Sequence, residues 1–171
     1  MTLQPAAPVP ALTLQPEQPQ DAPKVDALIE RAFGPGRYAK ASERVREFAT
    51  FAPSLSVCAW SEERLLGVAR MWHVRVGGVR AMFLGPFAVE QGERNAGFGA
   101  RLLTRACEAA QAAGESYVVL VGDEPYFSRV GFAAWPGRNI LLPGPVDQRR
   151  VLVRALKLGV AELAGPIEPA D

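Results

Sequence analysis

Apolar and polar positions change period several times along the chain, and the changes mark its elements. Leu12 and Leu14 alternate with polar neighbours, which predicts a short strand over residues 11–15. Val25, Leu28, Ile29, Ala32 and Phe33 then recur at helical spacing, with Asp21 as a candidate N-cap and Gly34 as a stop, so an amphipathic helix is expected between them. Pro35 and Gly36 break the chain, and residues 42–48 predict a second, shorter and more charged helix ahead of Pro53. From Ser54 the period becomes extended. Strands are expected over 54–60, 65–76 and 79–89, joined by a charged turn at 61–64 and by a hairpin at Gly77-Gly78. Gly85-Pro86 interrupts the third of these strands, and because proline cannot donate to a ladder, a bulge or a lost partner is predicted there. Leu102, Leu103, Ala106, Ala110 and Ala113 line one face of a helix over 97–113, closed by Gly114 and followed by a compact apolar strand over 117–121. Beyond it the pattern gives a short helix over 123–130 and extended pieces at 132–135 and 139–142. Over 151–158 the period fits strand and helix alike. Pro5, Pro8 and Pro10 predict a flexible arm over 1–10, and Pro166 and Pro169 a loose tail over 165–171, leaving 11–164 as one domain.

Composition narrows the function classes. A chain of 171 residues, 49% apolar and 22% charged, can bury one core without disulfides or a structural metal. Its 19 basic and 18 acidic residues are scattered, so the basic face that nucleic-acid binding needs is not expected. Cys58 and Cys107 lie inside apolar segments and read as buried reduced thiols, and with His73 as the one histidine no metal site is predicted. The first ten residues lack the basic and apolar regions of a leader, and nowhere is there an uninterrupted run of the ~18 apolar residues a membrane helix needs. A cytoplasmic protein with no membrane partner is therefore expected.

Candidate chemistry concentrates between Phe87 and Leu103, where a strand feeds a glycine-containing turn that opens a helix. Backbone N–H groups at such a turn point the same way and the helix start adds partial positive charge, so an anion, above all a pyrophosphate, is stabilised there. Two better-known phosphate loops do not fit: no Gly-Lys-Ser/Thr is present, and Leu102 stands where the dinucleotide fingerprint needs glycine.

The order of a Gly-Pro-interrupted strand, Arg94-x-x-Gly97-x-Gly99, an amphipathic helix, a strand, and Tyr126-Phe127-Ser128-Arg129-Val130-Gly131-Phe132 resembles the GNAT acyltransferase superfamily, in particular its small bacterial N-acetyltransferase branch. The resemblance runs from about Val25 to Trp135 as ordered elements. It implies an α/β (α+β) fold with a central mixed, mostly antiparallel sheet of about six or seven strands, splayed at a cofactor cleft, with helices on both faces. It implies acetyl-CoA as cosubstrate, with no metal. The pyrophosphate would be held by the main chain of Arg94, Asn95, Ala96, Gly97, Phe98, Gly99 and Ala100, and the pantetheine would pair with Phe87, Ala88 and Val89 like an added strand. An N-acetyltransferase acting on a primary amine of a small molecule or a protein follows, by direct transfer in a ternary complex. A homodimer is compatible with the pattern.

The sequence also departs from the family. Asn95 and Ala96 stand where a glycine and a cation are usual; Arg94, Arg101 or Arg105 could compensate. Phe127 stands where the family commonly has the tyrosine that protonates the departing thiolate, which makes its neighbour Tyr126 the candidate acid. For the base that frees the amine, Glu90, Asp123 and His73 are all candidates, Glu90 being the carboxylate nearest the expected thioester. Arg37, Tyr38, Trp72 and Arg138 are candidate contacts for the acceptor. These departures keep a second function open, an acyl-CoA-binding module of weak or no turnover with a sensor or interaction role.

Overall fold

The computed structural model describes residues 11–93 and 97–171. The arm expected over 1–10 and the loop residues Arg94, Asn95 and Ala96 lie outside the described residues. Nine strands and four α-helices follow in chain order: β1 (Leu12–Pro16), α1 (Ala22–Phe33), α2 (Ala41–Phe48), β2 (Thr50–Phe51), β3 (Val57–Ser61), β4 (Arg64–Val76), β5 (Val79–Val89), α3 (Phe98–Ala112), β6 (Tyr117–Val121), α4 (Glu124–Phe127), β7 (Ile140–Leu141), β8 (Val151–Ala155) and β9 (Gly165–Pro169). The main path of the sheet is β1-β3-β4-β5-β6-β8. All its pairs are antiparallel except β5–β6, and a second parallel pair joins β7 to β9.

The long strand β4 organises the molecule. One of its edges pairs with β5, and the other carries β3 in its first half and β2 and then β9 in its second. Side-chain alternation sends successive residues to opposite faces. Val68 and Ala88 join Val25, Leu28 and Ile29 of α1 in one apolar cluster. Ala69 and Met71 join Leu102, Leu103 and Ala106 of α3 in another, on the opposite face. A third cluster, built on Val74, Phe83, Val119 and Val153, takes Val45 of α2 and Ile167 of β9. Glu17, just past β1, holds Arg70 of β4 through two hydrogen bonds of 2.8 and 3.1 Å and is itself 5% exposed, so the buried carboxylate is compensated.

Three expectations need correction. The strand count is nine among the described residues rather than six or seven: the extended piece at 139–142 is β7, whereas β2 is a two-residue pairing too short to leave a period in the sequence and β9 falls in the expected tail. The first of the three central strands starts at Val57, since Pro53–Leu55 form a 3-10 turn. The tail expected to be loose is β9: Val74 faces Pro169 and Val76 faces Ile167, while Arg75 Nε donates to the Ala170 carbonyl at 2.9 Å. The Pro166 carbonyl still accepts from Gly77 N–H at 3.0 Å, and Ile167, 5% exposed, supplies the apolar anchor that the prolines had masked. Residues 151–155, ambiguous by period, are strand β8.

Candidate active site

The sheet opens beside β5. β5 and β6 pair only at Met82↔Val118 and Phe83↔Val119, although β5 continues to Val89 and β6 to Val121. On the other edge of β5, Met71 faces Leu84 and Ala69 faces Phe87, so Gly85 and Pro86 together oppose Arg70: the interruption read from the sequence is a bulge. Trp72 Nε1 donates to the Gly85 carbonyl at 2.5 Å and fixes the bulge from the neighbouring strand. Past the bulge, Glu90 N–H donates to Leu66 O at 2.8 Å, toward β4. Because peptide groups alternate along a strand, those of Phe87 and Val89 point the opposite way, to the edge that β6 has left. Among the described residues, no strand takes up these donors and acceptors beside the gap.

Helix α3 begins next to this edge. Gly97 precedes it at φ +75°, a left-handed conformation that favours glycine, and among the described residues no side chain caps the helix start. The next glycine is required by close approach: a Cβ on Gly99 would lie 2.6 Å from the Tyr126 hydroxyl and 3.4 Å from the ring of Phe87. Phe87, Val89, Gly99 and Tyr126, together with Ala32 and Phe33 of α1, enclose a cavity of about 260 Å³. Phe98 is buried in the core beneath it, and Ala100 packs against that core.

A larger cavity, about 430 Å³, lies on the other side of the bulge. Leu84 to Phe87 and Leu120 to Asp123 form its sheet walls, and it is closed by Phe33 of α1, the segment from Arg37 through α2, and residues 145–147 with Arg150. Phe127, also in this wall, lies against Gly122 and meets Phe87, Tyr126 and Phe132 at ring-centroid distances of 6.0, 5.0 and 6.2 Å. The helical turn therefore separates the two neighbours: Phe127 faces the larger cavity and Tyr126 the smaller one. Burial pushes the Tyr126 phenol above its ordinary value, with Arg129 opposing, so the group holds its proton across neutral pH.

The structure separates the candidate bases. Glu90 does not reach either cavity: Arg31 Nη2 holds its carboxylate at 2.8 Å in a polar depression with Lys24 and Arg64, on the α1 face. His73 lies further along β4, in a hollow with Thr50 and Arg80. Asp123 lines the larger cavity, caps nothing with its side chain, and stands 3.5 Å from Arg150. Of the expected acceptor contacts, Arg37 lines the same cavity, and its Nη2 donates to the Tyr38 hydroxyl at 2.6 Å. Trp72 holds the bulge instead. Arg138 is committed to Glu162 at 2.7 Å and to the face of Trp135.

Sequence reasoning missed Lys40, Arg46 and Arg150. Arg46 read as one more charge on a polar helix, yet it follows Val45 of the buried face, and its side chain is 10% exposed. Burial pushes its guanidinium below the usual value despite the Glu43 partner, and Arg37 and Arg70 add repulsion.

Comparison with known proteins agrees with this arrangement. The family model of the acetyltransferase (GNAT) family matches residues 23–133. The chain is 29% identical over 137 residues to the uncharacterised N-acetyltransferase YhbS of Escherichia coli K12, covering 74% of this chain and 81% of that protein. The crystal structure of YhbS, a GNAT family N-acetyltransferase, from Escherichia coli in complex with CoA matches with a TM-score of 0.76 and 25% identity, over 96% of this chain and 93% of that one. A GNAT family acetyltransferase from Brucella melitensis, in complex with acetyl-CoA, shares the fold with a TM-score of 0.69 and 24% identity, over 93% of this chain and 96% of that one.

Proposed function

This chain belongs to the acetyltransferase (GNAT) family, and we propose that it is an acetyl-CoA-dependent N-acetyltransferase that moves the acetyl group directly to a primary amine within a ternary complex. The observation that carries this reading is the unpaired edge of β5 between its bulge and the start of α3. The residues present fit the cosubstrate. The peptide groups of Phe87 and Val89 offer the strand edge that a pantetheine arm would join, and the uncapped first turn of α3, with Gly97 and Gly99 in front, offers N–H groups to a pyrophosphate. The Escherichia coli relative in complex with CoA supports the same assignment.

Bound acetyl-CoA would supply an activated acyl carbon and a thiolate leaving group. The chain's own residues do the rest. The Phe87 N–H, just past the bulge, is the donor available to an acyl oxygen gaining negative charge. Asp123, the carboxylate on the acceptor side, receives the ammonium proton directly or through water, since an amine of pKa about 10 must lose that proton before it attacks. Tyr126, which keeps its proton, returns one to the departing sulfur from the smaller cavity. A second reading, acyl-CoA binding without turnover, is favoured by Phe127 at the family's tyrosine position. Thiol release from acetyl-CoA with a panel of primary amines, with product mass as confirmation, separates the two: amine-dependent release is expected, whereas binding with no release for any amine establishes the second.

A further inference from the structure

The larger cavity carries more positive charge than its own acids neutralise. Arg37, Lys40, Arg46 and Arg150 line it, against Asp123 and Asp147. Asp147 is taken by Arg149, whose Nη2 donates to it at 2.9 Å, and Asp123 faces Arg150. Arg46 spends Nη2 on Glu43 at 2.6 Å, while its Nη1 reaches to 3.1 Å from where a Cβ on Gly85 would stand, at the bulge. Arg37 keeps one donor unmatched. Its Nη2 bonds the Tyr38 hydroxyl and lies 3.9 Å from Glu30, but its Nε is buried with no hydrogen-bond partner among the described residues, in a side chain 15% exposed. A buried guanidinium N–H without an acceptor is costly, which makes it a position that a ligand oxygen would relieve.

Two further features aim at the same space. Lys40 makes no ion pair among the described residues, and Ala41 and Ser42, the first residues of α2, line the cavity with no side chain capping the helix. Their N–H groups and the helix dipole favour an anion. The remaining wall, from Phe33, Leu84, Pro86 and Val146, is apolar. Of the described residues, neither Gly97 nor Gly99 at the start of α3 belongs to this lining.

We propose that this cavity selects an acceptor amine that also carries a carboxylate, an amino acid or its close analogue, with Arg37, Lys40 and the start of α2 holding the carboxylate so that the amino group reaches the β5 bulge. The inference rests on the transferase reading for the word acceptor, but the binding preference does not require turnover. Arg37 is the specificity-determining residue, because a planar guanidinium can present paired donors to a carboxylate and none to a carboxamide nitrogen.

The test is thermal unfolding of the full chain with saturating CoA and, at constant ionic strength, each of the common amino acids against its carboxamide. At least one amino acid should raise the unfolding midpoint while its amide does not; Arg37→Gln should abolish that difference, and Arg138→Gln, outside the cavity, should keep it. In the thiol-release assay the amide of the same pair should show kcat/KM at least about 10-fold lower. Equal shifts for acid and amide, no shift for any amino acid, or an intact preference in Arg37→Gln would overturn the inference. Carboxylate-selective binding with no thiol release would overturn the transferase reading alone. The acid-against-amide comparison in the unmodified protein stands even where a variant fails to fold.

Discussion

Tyr126 and Phe127 show how one residue of register redistributes roles. The resemblance put a phenyl ring where a phenol is common, and the structure turns that ring toward Gly122 while Tyr126 presents its hydroxyl to Gly99 beside the free edge of β5. Tyr126→Phe is expected to lower kcat by about 10- to 100-fold, the low end for a general acid because a thiolate leaves readily, with the acetyl-CoA-induced rise in unfolding midpoint retained. An unchanged kcat would remove Tyr126 from proton transfer. Since burial raises its pKa, no alkaline loss of activity from this group is expected below the ordinary phenol value of about 10. The thiols give a second residue-scale prediction. Burial pushes Cys58 up to about 12 and Cys107 up to about 11, so the native protein should be inert to a thiol reagent at pH 8 and expose both thiols on denaturation. The folded state binds these protons more tightly than the unfolded chain. Their contribution to stability is therefore whole below the unfolded value of 9.0 and is lost as pH rises through the folded values, which a denaturation series across alkaline pH reads directly.

At the level of elements, the bulge and the last strand make the strongest demands. Trp72→Phe removes the donor to the buried Gly85 carbonyl, and denaturant unfolding should register a loss of about 1–3 kcal/mol. Ile167→Ala should cost roughly 2–5 kcal/mol, because β9 packs into the core; a loss below ~0.5 kcal/mol would mean that 165–171 is a tail after all. Helices α1 and α3 and strands β4 to β6 were legible because their apolar positions keep one period over many residues. β9 was not, because its prolines and single buried isoleucine resemble a linker until β4 provides the partner. The bulge was legible from Gly85-Pro86 alone, since a missing donor has only a few structural solutions in a strand.

For the molecule as a whole, the site is assembled by topology. Local sequence marked the bulged strand edge and the glycine turn, as both belong to one continuous strand-turn-helix segment. The larger cavity was legible only in part: Arg37 and Asp123 stood out among the candidates, but Lys40, Arg46 and Arg150 meet them only because α2 and the segment before β8 fold over the same opening. For the same reason Glu90, closest in sequence to the expected chemistry, ends in a separate polar depression, held by Arg31. The proposed function requires that the opening between β5 and β6 receive acetyl-CoA against the start of α3. The most direct measurement is thermal unfolding with and without acetyl-CoA, in the unmodified protein and in Gly99→Val, whose added side chain would press on Tyr126. At 100 times its dissociation constant the ligand should stabilise the protein by about 2.7 kcal/mol, a rise of several degrees, and Gly99→Val should lose most of that rise. No shift in the well-folded unmodified protein, or an equal shift in Gly99→Val, would rule out acetyl-CoA binding at this opening.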